Sequence, residues 1–175
     1  MRFSPAAITL SLTLAVMSSA SIGGQSNKNI DARSIALLNT GDQEASAGRL
    51  DNAIGWYESA LAVDPRNRAA YVALARVAKA QSLNGKAIGF YKEALELEPN
   101  DQIALAEQAE VMIAKGALEQ ARKNMARLKT LCRTSCAAVE RLSLAIDMAS
   151  QKQQAQASAV DLKATLGATP EPKAN

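Results

Sequence analysis

The chain carries one sequence pattern twice between residues 50 and 100. Seven residues of the first occurrence return in the second at a constant distance of 34 positions (99 − 65 = 34). They are Ala53, Ile54, Gly55, Tyr57, Ala60, Leu61 and Pro65, followed by Ala87, Ile88, Gly89, Tyr91, Ala94, Leu95 and Pro99. A fixed period of this length is typical of structural repeats. We therefore expect the centre of the chain to fold as stacked units, each packing against its neighbours.

Apolar residues at helical spacing predict seven helices. We expect them at about 31–47, 50–63, 67–80, 86–97, 101–115, 118–131 and 135–151. Pro65 and Pro99 end two of these helices, because proline cannot continue a helix. Breaks are expected at Gly48 and Gly116, and a turn at Asn84 and Gly85. The last helix carries one apolar stripe, which fits a helix that caps the open end of the stack: Val139, Leu142, Ile146 and Ala149.

The composition suits closely packed helices and excludes several kinds of chemistry. Hydrophobic residues make up 48% of the 175 residues but aromatic residues only 3%, and alanine favours helices at short distances from one another. The chain has no histidine and only two cysteines, so neither histidine catalysis nor a closed Cys/His zinc site can be built. We expect no cofactor, no metal and no catalytic residue. The net charge of +3 is spread without basic runs, which argues against a nucleic-acid partner.

The N-terminus has the form of a secretory signal. Arg2 precedes an apolar run at 6–17, and small residues follow up to Ala20. We expect export, to a bacterial periplasm, with cleavage near Ala20 and no stable membrane insertion afterwards; the alternative is an uncleaved anchor or an interfacial helix. The expected organisation is a signal peptide at 1–20, a flexible lead-in at 21–30, the helical domain at 31–151, and a helix extension with a disordered tail at 152–175.

The period, the helix–turn–helix unit and the pattern Ala-x3-Tyr followed by Ala and Pro resemble tetratricopeptide repeats. Units at about 34–67 and 68–101 match well. A third, at about 102–135, is divergent: Ala121 keeps the small residue, Met125 replaces tyrosine, and Arg133 stands in place of proline. The resemblance implies an all-α fold, a short right-handed helical solenoid of about three repeats with a C-terminal capping helix.

Each repeated residue has a packing interpretation. Small residues are expected where helices approach closely, and the tyrosines where one unit meets the next. The predicted packing residues are Ala53, Tyr57, Ala60, Pro65, Ala87, Tyr91, Ala94, Pro99 and Ala121, with Gly41, Ala75 and Ala109 on the first helices. Trp56 and Phe90 lie on an adjacent face, where we expect exposure. Gly55 and Gly89 indicate either a close approach of another backbone or neutral sequence drift on an exposed helix face.

The resemblance also implies a concave groove lined by the first helix of each unit, where a peptide or protein partner binds. The groove residues would include Leu38, Asp42, Val72, Arg76, Lys79, Ala106 and Glu110. The family's Lys, Asn and Arg clamp for a C-terminal carboxylate is absent, because those positions carry Leu38, Asp42, Ala73, Ile103 and Glu107.

Cys132 and Cys136 form a C-x3-C pair, which is not the redox-active C-x-x-C spacing. In an exported protein two nearby cysteines most often form a structural disulfide. The leading hypothesis is therefore a non-catalytic interaction scaffold or adaptor of the cell envelope. The alternatives are a thiol–disulfide redox protein that uses this pair, and a structural protein that self-associates through the ends of its stack.

Overall fold

The structure, a computed structural model, describes residues 29–132 and 136–167, with side chains as far as residue 160. The expected signal peptide, almost all of the lead-in and the tail beyond residue 167 lie outside the described residues. Every described element is a helix, and the chain order is α1 (Ala32–Ser46), α2 (Leu50–Val63), α3 (Arg68–Ala80), α4 (Asn84–Leu97), α5 (Gln102–Ala114), α6 (Leu118–Leu131) and α7 (Ala137–Gly167).

The first six helices form three helix pairs that stack in chain order. Helix α1 packs on α2, α3 on α4, and α5 on α6, while α2 packs on α3 and α4 on α5 between the pairs. Helix α7 packs on both α5 and α6 at the end of the stack. Contacts therefore join near neighbours in sequence, as in other all-α solenoids, and the all-α fold expected from the repeat is confirmed.

The turn inside each pair is held by the same left-handed position. Gly48, Ser82 and Gly116 lie 34 residues apart, and their φ angles are +76°, +60° and +82°. Glycine adopts such angles without steric cost, whereas serine does so rarely. The turn expected at Asn84 and Gly85 is wrong, because α4 already begins at Asn84 and the reversal occurs at Ser82. The Asn-Gly signal was misleading because a serine takes the position that glycine holds in the other two units.

Adjacent pairs are joined where each first helix begins. Asn67 caps the N-terminus of α3 and donates from Nδ2 to Ser34 Oγ at 2.8 Å, in the preceding pair. Ser34 donates in turn to the carbonyl of Ala60 at 2.7 Å. One repeat later Asp101 caps α5 and pairs with Arg68. The cap of each unit therefore also fixes its register on the unit before it.

Small residues of the first helices lie beneath the tyrosines. Gly41, Ala75 and Ala109 are buried at equivalent positions of α1, α3 and α5. The ring of Tyr57 lies so close to Gly41 that a Cβ there would be 2.6 Å from its Cδ1 atom. Tyr57 also packs with Ala73, Leu74 and Val77 of α3, in the next pair. The tyrosine therefore occupies the joint between two units.

The outer faces of the second helices differ from one unit to the next. Trp56 is 40% exposed, but its repeat equivalent Phe90 is half-buried and contacts the cores of both the first and the second pair. The expectation of an exposed Phe90 is therefore wrong, because α4 has a preceding unit to pack against, whereas α2 is the second helix of the first pair. At Gly55 and Gly89 an added Cβ would meet nothing within 4 Å, which excludes the close backbone approach and favours drift on an exposed face.

Helix α7 runs for 31 residues to Gly167, through the capping helix expected at 135–151 and into the segment where a helix extension was expected. Leu142 and Ile146 are buried against Ala109, Ala121 and Leu128. Residues 151–160 are all exposed. The first four turns therefore close the third pair, and the rest of the helix extends beyond the body of the stack.

Candidate functional site

The concave side of the stack holds two adjoining clefts. The larger, of about 420 Å³, lies between α3, α5 and the start of α7, and the smaller, of about 320 Å³, lies between α1, α2 and α3. Arg76 lines both clefts. The first helices of all three pairs therefore contribute to one continuous surface.

Two ion pairs join α3 to α5 across the larger cleft. Arg76 donates from Nε and Nη2 to both carboxylate oxygens of Glu107, at 2.8 and 2.7 Å, and Lys79 Nζ donates to Glu110 at 2.8 Å. The bidentate geometry makes the Arg76 pair the more directional of the two. Together the four side chains fix the spacing of the second and third units along the groove.

The hydroxyl groups of Tyr57 and Tyr91, which lie at the joints between units, reach this surface. Tyr91 donates its hydroxyl to Glu107 at 2.9 Å, whereas Tyr57 donates to Asp42 at 2.8 Å. The two partners differ because Asp42 is replaced by Arg76 one repeat later, and an arginine cannot accept the bond. Tyr91 therefore uses the carboxylate that Arg76 itself binds.

These contacts shift the ionisation of the groove. Burial raises the pKa of Tyr57 and of Tyr91, and the carboxylates of Asp42 and Glu107 raise each further. Burial also acts to raise the pKa of Glu107, but the hydrogen bonds from Arg76 and Tyr91 outweigh it and the net shift is downward. Both tyrosines are therefore neutral donors at neutral pH, and Glu107 is ionised.

The charges without an ion pair lie at opposite ends of the groove. Asp42 accepts the Tyr57 hydrogen bond but forms no ion pair within the described part of the chain. Arg141, exposed on α7, borders the larger cleft and makes no hydrogen bond or ion pair with any described residue. The groove is therefore negative at its α1 end and positive at its α7 end, with closed ion pairs between.

The groove residues expected from the sequence fall into three groups. Asp42, Arg76, Lys79, Ala106 and Glu110 all line the clefts. Leu38 is half-buried and packs against the core of the first two pairs. Val72 is a correction: it is 4% exposed and lies in the core of the second pair, out of a partner's reach, because the face of α3 that carries it turns toward α4 and α5.

Ile103 and Arg141 also line the larger cleft. Ile103 is 52% exposed at its rim and supplies an apolar contact; the repeat had indicated it. Arg141 was not expected there, because it belongs to α7, which lies outside the 34-residue pattern. No sequence signal distinguishes it from the other exposed arginines.

The two cysteines lie between α6 and α7: Cys132 caps the end of α6, and Cys136 immediately precedes α7. Their Cα atoms are 5.9 Å apart, within the range that a disulfide spans. Both are half-buried and pack against the core formed by α5, α6 and α7, and Cys136 also lines the larger cleft. The pair therefore sits where α7 joins the third unit.

Within residues 29–132 and 136–167, no group of three or more His, Cys, Asp or Glu side chains is arranged to hold a metal ion. None of the helices in the described part of the chain is both long enough and apolar enough to cross a membrane.

Comparison with known proteins identifies the fold. No protein-family model matches the sequence, and no curated protein matches it. Solved structures do match. The first TPR (tetratricopeptide repeat) domain of Spaghetti (RPAP3), bound to the HSP90 peptide SRMEEVD, is 21% identical, covers 68% of this chain and 95% of its own, and has a TM-score of 0.62. The TPR2B domain of yeast Sti1, from a complex with pHsp70, is 18% identical over 70% of this chain and 99% of its own, with a TM-score of 0.63. The first TPR domain of human RPAP3 is 21% identical over 67% and 95%, with a TM-score of 0.60. The chain therefore has the tetratricopeptide-repeat fold.

Proposed function

We propose that this chain is an exported, non-catalytic interaction adaptor that holds a segment of a partner protein in its concave groove. The observation that carries the proposal is the pair of adjoining clefts, whose unpaired charges lie at opposite ends. Domains of similar fold are known in complex with an HSP90 peptide and with pHsp70, which supports a peptide or protein ligand.

The groove indicates the chemistry of the segment. Asp42 would pair with a basic group, Arg141 with an acidic group, and Ile103 with Ala106 would contact an apolar side chain between them. The Arg76–Glu107 and Lys79–Glu110 pairs are already closed, and a segment that displaced Glu107 would have to replace its three hydrogen bonds from Arg76 and Tyr91. A segment that lies across these pairs and uses the two ends is therefore favoured over one that competes with them.

The cysteine pair has a structural role in this proposal. It packs against the core that contains Leu128 and Leu142, where α7 meets the third unit, and the carboxylates Glu107 and Glu110 of the adjoining cleft are already held by Arg76 and Lys79. A disulfide there would fix the direction of α7, and through Arg141 the positive end of the groove. Thiol exchange is the competing function, and an insulin-reduction assay with the wild type and with Cys132→Ser/Cys136→Ser separates the two: reductase activity lost in the variant would favour it.

Export rests on the sequence pattern of residues 1–20. We expect the chain isolated from its native host to begin near Ser21, which an intact mass measures. If the chain instead retains Met1 and is found in the cytosol, the export part of the proposal is wrong, and with it the expectation of oxidised cysteines.

The groove is tested by incubating the purified chain with an array of short peptides of varied charge. Arg141→Glu should lose the peptides whose binding needs an acidic residue, and Asp42→Lys those that need a basic one. Lys123→Glu is the matched control, since Lys123 is exposed on α6 outside both clefts. Binding that is the same in all three variants, or no peptide retained by the wild type, would contradict the proposal.

A further inference from the structure

Helix α7 has a second apolar stripe, on the side away from the body of the stack. Leu142 and Ile146 face the body, while Leu144 and Met148 are 63% and 62% exposed. The same exposed face continues through the polar Gln151 to Ala155 and Ala159, in steps of three or four residues that keep one face of a helix. The sequence repeats this spacing at 162 and 166, both leucines.

The part of α7 that extends from the body has little to hold it in a helix. Residues 151–160 are all exposed, and the main contact back to the stack is from Gln153 Nε2 to the carbonyl of Gly116 at 3.1 Å. Most of the stability of a helix in a protein comes from packing of its apolar face, and this part of α7 has no such packing. A second helix packed on the stripe would supply the missing stabilisation.

Charged residues flank the stripe with one sign on each side. Viewed along the helix, Arg141 and Lys152 lie on one flank, and Glu140 and Asp147 on the other. None of the four forms an ion pair within the described part of the chain. The helix therefore has complementary edges that its own chain does not use.

This arrangement selects both the partner and its direction. When two identical helices pack in parallel, the positive flank of each meets the negative flank of the other; when they pack antiparallel, like flanks meet. Asp147 and Lys152 are five residues apart, so in a parallel pair Asp147 of one copy can reach Lys152 of the other across the seam. Because the stripe lies opposite the face that packs on α5 and α6, the two bodies would lie on the outer sides of such a pair and not collide.

We propose that two copies of this chain associate through parallel pairing of α7 along the stripe Leu144, Met148, Gln151, Ala155 and Ala159. The dimer is symmetric, with the same surface contributed by both copies. Association by stacking of the ends is disfavoured, since Asn39, Thr40 and Gln43 of α1 stand where Ala73, Leu74 and Val77 of α3 form the buried contact.

Sedimentation equilibrium of the full chain tests the pairing. The wild type should sediment with twice the monomer mass, and Leu144→Lys/Met148→Lys with the monomer mass. Circular dichroism of this variant should show that the helices as far as residue 150 remain folded. Val160→Lys is the matched control: Val160 is 65% exposed on the same helix but lies off the stripe, so this variant should remain a dimer. The proposal would be overturned by a monomeric wild type, whether or not that monomer cosediments with phospholipid vesicles. It would also be overturned if Val160→Lys dissociated as much as Leu144→Lys/Met148→Lys.

Three further variants test the direction, and none depends on the folding of the lysine variant. Asp147→Lys should raise the dimer dissociation constant, and Asp147→Lys/Lys152→Asp should restore it. In a Cys132→Ser/Cys136→Ser background, Ala155→Cys should form a crosslinked dimer on oxidation, since residue 155 meets its equivalent in a parallel pair in register, whereas in an antiparallel pair centred on the stripe it faces residue 148. Failure of the charge exchange to restore the dimer, together with no crosslink, would exclude the parallel arrangement.

Discussion

At the joint between the first two helix pairs, the ring of Tyr57 lies on Gly41 and reaches the apolar face of α3. At the joint between the third pair and α7, the equivalent residue is the half-buried Met125. The volume is supplied elsewhere: Leu128 takes the position held by Ala60 and Ala94, and Leu142 and Ile146 enter from α7. A repeat that loses its aromatic residue can therefore keep its joint if a neighbouring position and a helix outside the repeat fill the same space.

The largest difference between the joints should appear when the side chain that fills each joint is replaced by alanine. Tyr91→Ala should lower the free energy of unfolding by about 3–5 kcal/mol, because this side chain is fully buried. Met125→Ala should cost less, about 1–2 kcal/mol, since Met125 is only half-buried and Leu128 remains. Denaturant unfolding measures both. Equal losses at the two positions would remove the distinction between the joints.

The cysteine pair should matter at the third joint alone. Cys132→Ser/Cys136→Ser should lower the free energy of unfolding by about 2 kcal/mol, as expected for a disulfide that closes so small a loop. Thiol titration of the native chain provides the companion measurement, with no free thiol expected. Two free thiols per chain and an unchanged stability would show that packing alone holds α7 on the third pair.

The first joint is the most crowded, which a single methyl group can reveal. Gly41→Ala should lower the free energy of unfolding by about 1–2 kcal/mol, since overpacking against Tyr57 costs about 1–3 kcal/mol and the better helix propensity of alanine returns up to about 1. Gly55→Ala is the control, because its Cβ would meet open space, and it should raise the free energy by up to about 1 kcal/mol. Two changes of the same sign would contradict the crowding.

The smallest expected effect is a dependence on pH. The pKa of Asp64 is lowered to about 2 by hydrogen bonds from the Arg66 side chain and from the backbone amides of Asp31 and Arg66. A carboxyl whose pKa is lower in the folded state stabilises that state above its ordinary pKa of 3.8, and this contribution disappears as the pH falls toward 2. Asp64→Asn should therefore flatten the stability profile over that range.

The second joint supplies the control for this pH effect. Glu98, one repeat after Asp64, is 60% exposed where it pairs with Arg68, so Glu98→Gln should cost at most about 1 kcal/mol of stability, as for other surface ion pairs. Thermal unfolding at several pH values measures both variants, and a steeper profile in Asp64→Asn would contradict the assignment.

The sequence predicted what the repeat itself determines. The helices and the buried residues Ala53, Tyr57, Ala87 and Tyr91 follow from a 34-residue period, because equivalent positions meet equivalent neighbours. It misplaced the turn at Ser82, since a non-glycine residue adopts a left-handed conformation there only in the context of the fold. The burial of Val72 was also missed, because one helix face serves both groove and core.

The candidate site was predictable only in part, for a related reason. Its first-helix residues repeat, and Arg76, Lys79 and Glu110 could be placed by counting. Arg141 and the second stripe of α7 lie beyond the last repeat, where periodicity carries no information. Their position depends on how α7 docks, which only the three-dimensional contacts with α5 and α6 determine.

The central claim is that α7 completes the third pair from outside the repeat. The most direct measurement is the free energy of unfolding of Ile146→Ala beside that of Ser143→Ala, an exposed change on the same helix away from both apolar stripes. Ile146→Ala should lose about 2–4 kcal/mol, as for a buried aliphatic side chain, and Ser143→Ala should stay within about 0.5 kcal/mol of the wild type. If the two variants unfold at the same denaturant concentration as the wild type, α7 does not close the stack.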